Sequence, residues 1–232
     1  MSPATQAPPI RRFARRADLD SALAERLKSA VRAGAESAVM LAGGTTPGPA
    51  FGLLASAPPP APAGLRILYS DERHVPSDSD ASNYHLSKPL LNALALPAAQ
   101  VLRVQTELPL EAAAQAYEES LRALLGEKLP VHLGLLGLGA DGHTASLFKP
   151  ADLATARGRL AIPVQRPDGR TAVSVTPDFL AQVEEILFVV AGADKRAALG
   201  RLLARDPALI AWRAVERSPR VEVWADGAAS PP

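Results

Sequence analysis

The stretch GADGHTAS, Gly139 to Ser146, places the imidazole of His143 two residues after the carboxylate of Asp141 and between Gly142 and Thr144. Imidazole is the side chain that exchanges a proton most readily near neutral pH. A core histidine sits within apolar periodicity, whereas this one follows the apolar run HLGLLGLG and lies among glycines. Those glycines imply a tightly shaped backbone, the setting of a general base with a carboxylate beside it. A surface-loop histidine with Asp141 as turn former is the plainer reading, and on this motif alone the two weigh about equally.

Two further clusters have the same character. GGTTP, Gly43 to Pro47, supplies close backbone approach at Gly43 and Gly44, the hydroxyls of Thr45 and Thr46, and the start of a helix. Free N–H groups at such a turn suit phosphate; taken alone, an ordinary strand–helix turn with a Thr45 or Thr46 cap is the better reading. DER, Asp71 to Arg73, puts three ionisable residues at a strand end. Arg73 has the fork that grips phosphate, and Asp71 can orient it or meet sugar hydroxyls; without its neighbours the cluster reads as a solvated loop. The spacing HxH or HExxH is absent, as is GxSxG, so no metal or serine triad is expected, and GGTTP is neither a Walker loop nor a GxGxxG fingerprint. His74 is expected at the rim of the site, and His85 and His132 in structural roles.

These clusters need elements to position them. Leu19, Leu23, Leu27 and Val31 follow helical spacing from Asp18, closed by Gly34. SAVMLAGG reads as a buried strand, TTPGPAFGLLA as turn and helix, and LRILYSDER as one strand running into polar residues. ASNYHLSKPLLNAL contains a helix that Pro89 must kink or delimit. VLRV reads as a strand, PLEAAAQAYEESLRALLGEK as an amphipathic helix, and VHLGLLGLG as the central strand. GRLAIPV and TAVSVT then read as strands, the second alternating like an antiparallel edge. PDFLAQV, EILFVVAG, ADKRAALGRLLA and RVEVWAD follow as helix, strand, helix and strand. This alternation predicts a single α/β domain over 1–232, with a mostly parallel sheet flanked by helices and flexible tails at about 1–17 and 227–232. In such sheets, ligands gather beyond the carboxyl ends of the strands. The three clusters all follow strands.

Composition narrows the chemistry. Of 232 residues 47% are hydrophobic and 21% charged, which suits a globular domain; Lys and Arg number 25 against 24 Asp and Glu. That balance gives no footprint for nucleic acid or an anionic membrane, so any anion must be gripped locally. With no cysteine, disulfides, thiolate metal sites and cysteine nucleophiles are excluded. The basic amino-terminal segment lacks an apolar stretch behind it, so a solvated tail is expected rather than a secretory signal, and the setting is expected to be cytoplasmic.

In this order, LAGGTTP, YSDERHVPSDSDASNYHL and GLGADGHTASLF resemble the three signature blocks of the 6-phosphogluconolactonase family. LFVVAGADKRAAL and VEVWADGAA are similar to its late blocks, so the resemblance covers most of the chain beyond the first ~35 residues. It implies a Rossmann-like, glucosamine-6-phosphate deaminase-like fold and hydrolysis of a phosphosugar lactone by a monomer or small homo-oligomer without cofactor. By matching position it also implies His143 as general base and Asp141 as its orienting partner. Gly43, Gly44, Thr45, Thr46, Asp71, Arg73, Gly142, Thr144 and Lys195 become substrate contacts. The related deaminases carry a DEY-type block and Gly–His–Ile–Ala–Phe–Asn–Glu where this chain has DER and GHTASLF. Two departures stand out. Lys149 intervenes before Pro150, and the family's arginine ahead of its T-L-T strand falls at Ala172, with Arg170 displaced from that spacing. A non-catalytic sugar-phosphate sensor is the reading from another class, and intact His143 and Asp141 weigh against it.

Overall fold

The structure, a computed structural model, describes residues 7–33 and 36–230. Among them, seven parallel strands form one sheet in the order β1-β10-β9-β6-β2-β3-β5: β1 (Ile10–Phe13), β2 (Ala38–Leu41), β3 (Arg66–Tyr69), β5 (Val101–Leu102), β6 (Val131–Gly137), β9 (Ile186–Val190) and β10 (Val221–Asp226). A second sheet is antiparallel, in the order β4 (Asp71–Arg73), β8 (Thr171–Val175), β7 (Ala161–Gln165).

The central strands are apolar throughout because both faces are covered. Val39, Leu41, Ile67, Leu187, Val189 and Trp224 pack under α1 (Arg16–Ala33), α2 (Gly48–Ser56) and α3 (Asn83–Ala93). The alternate residues Met40, Leu68, Leu136, Ile186, Phe188 and Ala225 pack against the other layer. That layer comprises α4 (Leu110–Gly126), α5 (Pro150–Thr155), α6 (Pro177–Leu180), α7 (Arg196–Leu203), α8 (Ile210–Val215) and the small sheet.

Several expectations change. LRILYSDER is not one strand. The chain leaves the main sheet at Ser70, whose N–H still donates to Leu41 O (2.9 Å) while its carbonyl accepts from Val175 N (2.9 Å). Asp71–Arg73 then pairs with β8. Pro89 lies inside α3 and does not delimit it; Ser82 starts that helix, its Oγ accepting from His85 N (3.1 Å). Neither threonine caps α2, because Pro47 occupies the N-cap position and no side chain bonds there. Lys149 is accommodated ahead of α5, where Asp152 Oδ2 accepts from the N–H groups of Phe148 (2.8 Å) and Lys149 (3.0 Å).

The expected tails are shorter. Ile10–Phe13 adds a strand beside β10 despite its exposed arginines, because Phe13 buries against Trp224 (ring centroids 5.5 Å apart). At the other end Asp226 Oδ1 accepts from Ala229 N (2.7 Å), and Arg12 Nε donates to Ser230 Oγ (2.8 Å), so residues 227–230 are anchored. Residues 1–6, 231 and 232, and the expected helix closure at Gly34, lie outside the described residues.

Candidate active site

The path of the chain through the sheet reverses between β2 and β6. From β2 it steps outward through β3 to β5, and from β6 the other way through β9 to β10. Loops leaving two such strands diverge to opposite sides, so a crevice opens between their carboxyl ends. GGTTP follows β2 and GADGH follows β6. A cavity of about 200 Å³ lies there, lined by Gly43, Gly44, Thr45, Thr46, Asp71, Arg73, His143, Arg166 and Lys195, among others.

His143 is held from three sides. Its Nδ1 lies 2.5 Å from Asp141 Oδ1, which also accepts the His143 backbone N–H (3.2 Å). Its ring packs against Phe148 at 4.4 Å between centroids. A Cβ at Gly139 would overlap both His143 Nδ1 and Asp141 Oδ1, which is why that position is a glycine. Partial burial would raise the Asp141 pKa, but hydrogen bonds from His143 and its charge outweigh that and hold it below the ordinary carboxylate range. An ionised Asp141 accepts, so in the neutral imidazole Nδ1 is the nitrogen that carries the proton and Nε2 the one with the lone pair. Gly142, at φ +89°, makes the turn that brings the imidazole round; a side chain there would also meet Leu209.

The DER block is organised by a residue that motif reading passed over. Asn83, at the start of α3, donates from Nδ2 to Asp71 O (2.8 Å) and Asp71 Oδ1 (3.2 Å). Its Oδ1 accepts from Arg73 Nη1 (2.6 Å), which also donates to Ala81 O (2.9 Å). The Asn83 side chain fills the place a Cβ at Gly43 would take, so it joins the β2 loop to the DER block. Glu72 anchors this arrangement. Its buried carboxylate accepts from Arg73 N (2.9 Å), Asn83 N (2.7 Å), Tyr84 N (2.8 Å) and Ser82 Oγ (3.1 Å), an anion at a helix N-terminus. Burial pushes the Glu72 pKa up, against those donors.

The structure thus brings His143, Arg73, Asp71, Lys195 and the GGTT loop to one cavity. It does not bring Thr144 there. That side chain is buried, and its hydroxyl donates to Gly137 O (2.8 Å). Asp141 and Gly142 stand behind His143 rather than in the lining. Lys195 pairs with Asp194 Oδ2 (2.9 Å). His74 is not at the rim; its Nε2 is bonded to Leu108 O (2.8 Å). His132 is paired with Glu184 (2.5 Å), and His85 lies 3.6 Å from Asp80.

Sequence reading also missed Arg166. Its Nη1 donates to Ser146 Oγ (3.0 Å), whose own proton goes to Asp71 Oδ2 (2.6 Å). Asn83 lies inside the block YSDERHVPSDSDASNYHL without being singled out there, and nothing in the local pattern marks Arg166. The one available signal was the missing arginine at Ala172, which prompts a search of the strand opposite.

Residues 13–224 match the family model described as glucosamine-6-phosphate isomerases/6-phosphogluconolactonase. The chain belongs to that family. Human 6-phosphogluconolactonase is 38% identical over 160 residues, 65% of this chain and 62% of the human protein, so the match spans somewhat less than two thirds of that relative's length. The crystal structure of 6-phosphogluconolactonase from Thermotoga maritima superposes with a TM-score of 0.80 at 28% identity, over 94% of this chain and 99% of the other. A monomeric glucosamine-6-phosphate deaminase superposes at 0.79 with 16% identity, covering 96% and 98%. That last likeness is one of fold, and it places this family member among deaminase-like folds, as the resemblance implied.

Proposed function

We propose that the protein hydrolyses 6-phospho-D-glucono-1,5-lactone to 6-phospho-D-gluconate, the lactone-opening step of the oxidative pentose phosphate pathway. The observation that carries this reading is the pairing of His143 with Asp141 at a cavity whose other walls suit a phosphate. Nε2 of His143 takes a proton from water as the water attacks the lactone carbonyl. Asp141 holds the tautomer and stabilises the imidazolium that results. The proton then passes to the ring oxygen as the carbon–oxygen bond breaks, and the carboxylic acid formed ionises in solution. An ester with its leaving group tethered in a ring needs only placement and a base. The reaction is therefore proposed to run without a metal.

In this reading the GGTT loop, Arg73 and Lys195 contact the phosphate and sugar, with the Thr45 and Thr46 hydroxyls left over from capping. The partner is a small phosphosugar lactone, with no nucleic acid or membrane; among the described residues no helix is long and apolar enough to cross one. Acid release from 6-phosphogluconolactone, followed beside ammonia release from glucosamine 6-phosphate, tests the assignment. Acid above the spontaneous rate and no ammonia is expected. Ammonia release makes the protein a deaminase, and neither product makes it a sensor.

A further inference from the structure

β7 and β8 form a hairpin in which Gln165 faces Thr171 and Arg166 N donates to Arg170 O (2.9 Å). The arginines flanking the turn have different fates. Arg170 is exposed, whereas Arg166 enters the cavity wall with a side chain only 14% exposed. Its Cζ lies 5.0 Å from the Phe148 ring centroid, so a guanidinium has been withdrawn from water onto an aromatic face. Its compensation is slight: the Ser146 hydroxyl on Nη1, and Asp168 Oδ2 at a long 3.4 Å from Nε. No protein acceptor among the described residues meets Nη2. Arg73, by contrast, has Nη1 committed twice, and Lys195 is paired with Asp194.

A half-desolvated cation held in place favours a ligand that is charged before reaction begins. The lactone carbonyl is neutral in the ground state, and a phosphate is a dianion. We propose that Arg166 is a specificity-determining residue that binds the phosphate of the substrate, with Nη2 donating to it. Arg166 lies two residues beyond Val164, the partner of Ala172 on β8. The proposal rests on the lactonase reading above.

The test compares kcat/KM for 6-phosphogluconolactone and for unphosphorylated gluconolactone in wild type, Arg166→Gln, Arg166→Lys and Arg170→Ala. Arg166→Gln is expected to lower the ratio between the two lactones roughly 10- to 150-fold, mainly through KM for the phosphorylated one. Arg166→Lys should recover part of the ratio and Arg170→Ala should keep it whole. An unchanged ratio overturns the proposal, as does an equal loss on both lactones, which marks a role at the carbonyl or in packing alone. If Arg166→Gln fails to fold, Arg166→Lys carries the same comparison, and wild-type ratios in that variant overturn the proposal. If the wild-type protein opens neither lactone, the lactonase reading fails separately. Calorimetry with 6-phosphogluconate and gluconate then decides: the phosphate proposal stands only if the Arg166 variants weaken the first and spare the second.

Discussion

Gly139 carries no side chain because the His143–Asp141 pair occupies the place where one would go. The imidazole is therefore positioned by contact with its own loop as much as by its hydrogen bond. Gly139→Ala must push the imidazole away from the carboxylate, and a shift of about 1 Å in a reacting group can cost ~10²-fold. We expect kcat to fall by about that factor with the melting temperature shifted little, as steady-state kinetics beside thermal unfolding would show; unchanged kcat would mean that the pair tolerates displacement. Removing the imidazole outright is expected to be more severe. His143→Ala should lower kcat by ~10²–10⁴ and leave KM nearly intact. Spontaneous hydrolysis must be subtracted, and a variant with most of its kcat would remove His143 from the mechanism.

The hairpin that carries Arg166 is itself fastened to a helix. Glu118 of α4 accepts from Arg159 Nε (2.5 Å), Leu160 N (2.9 Å) and Arg122 Nη2 (2.8 Å), tying the start of β7 to the helix face. Desolvation acts to raise the Glu118 pKa, but these donors outweigh it and the group sits below its ordinary value of 4.5. A carboxylate depressed in the folded state stabilises the fold above its unfolded pKa, and that contribution is lost as pH falls through the folded pKa. Glu118→Ala should cost about 2–3 kcal/mol near neutral pH. In denaturant titrations the gap from wild type should shrink steadily once the pH drops below about 4.5. A gap that stays constant down to strongly acidic pH would show that the ion-pair network contributes nothing there.

At the scale of the fold, the three polar clusters meet between the two apolar layers, at the crevice where strand order reverses. Lys and Arg nearly balance Asp and Glu in number, so the proposed selectivity for a phosphorylated sugar would have to be local. No three His, Cys, Asp or Glu side chains among the described residues are grouped so as to hold a metal ion. Dialysis against EDTA should leave turnover of the lactone unchanged. A loss restored by zinc or magnesium would overturn the metal-free mechanism.

The fold class was legible in the chain because buried parallel strands read as apolar runs and their covering helices keep a 3.6-residue period. So was the neighbourhood of the site, since loops rich in Gly, Thr, Asp and His directly after such runs stand at the carboxyl edge of the sheet. The edge strand at Ile10–Phe13 was not legible: it alternates too little, and it is held by a pairing with β10 some two hundred residues away. The short helices α5 and α8 have too few turns to show a period. Within the site, tertiary contact alone assigned the partners. Whether Thr144 faces the ligand or the Gly137 carbonyl, and whether Arg166 or Arg170 turns inward, depends on side-chain direction and hairpin register. Those are set by packing across elements distant in the chain, and no local pattern encodes them. Asn83 makes the same point, since it matters only because α3 docks where Gly43 leaves room.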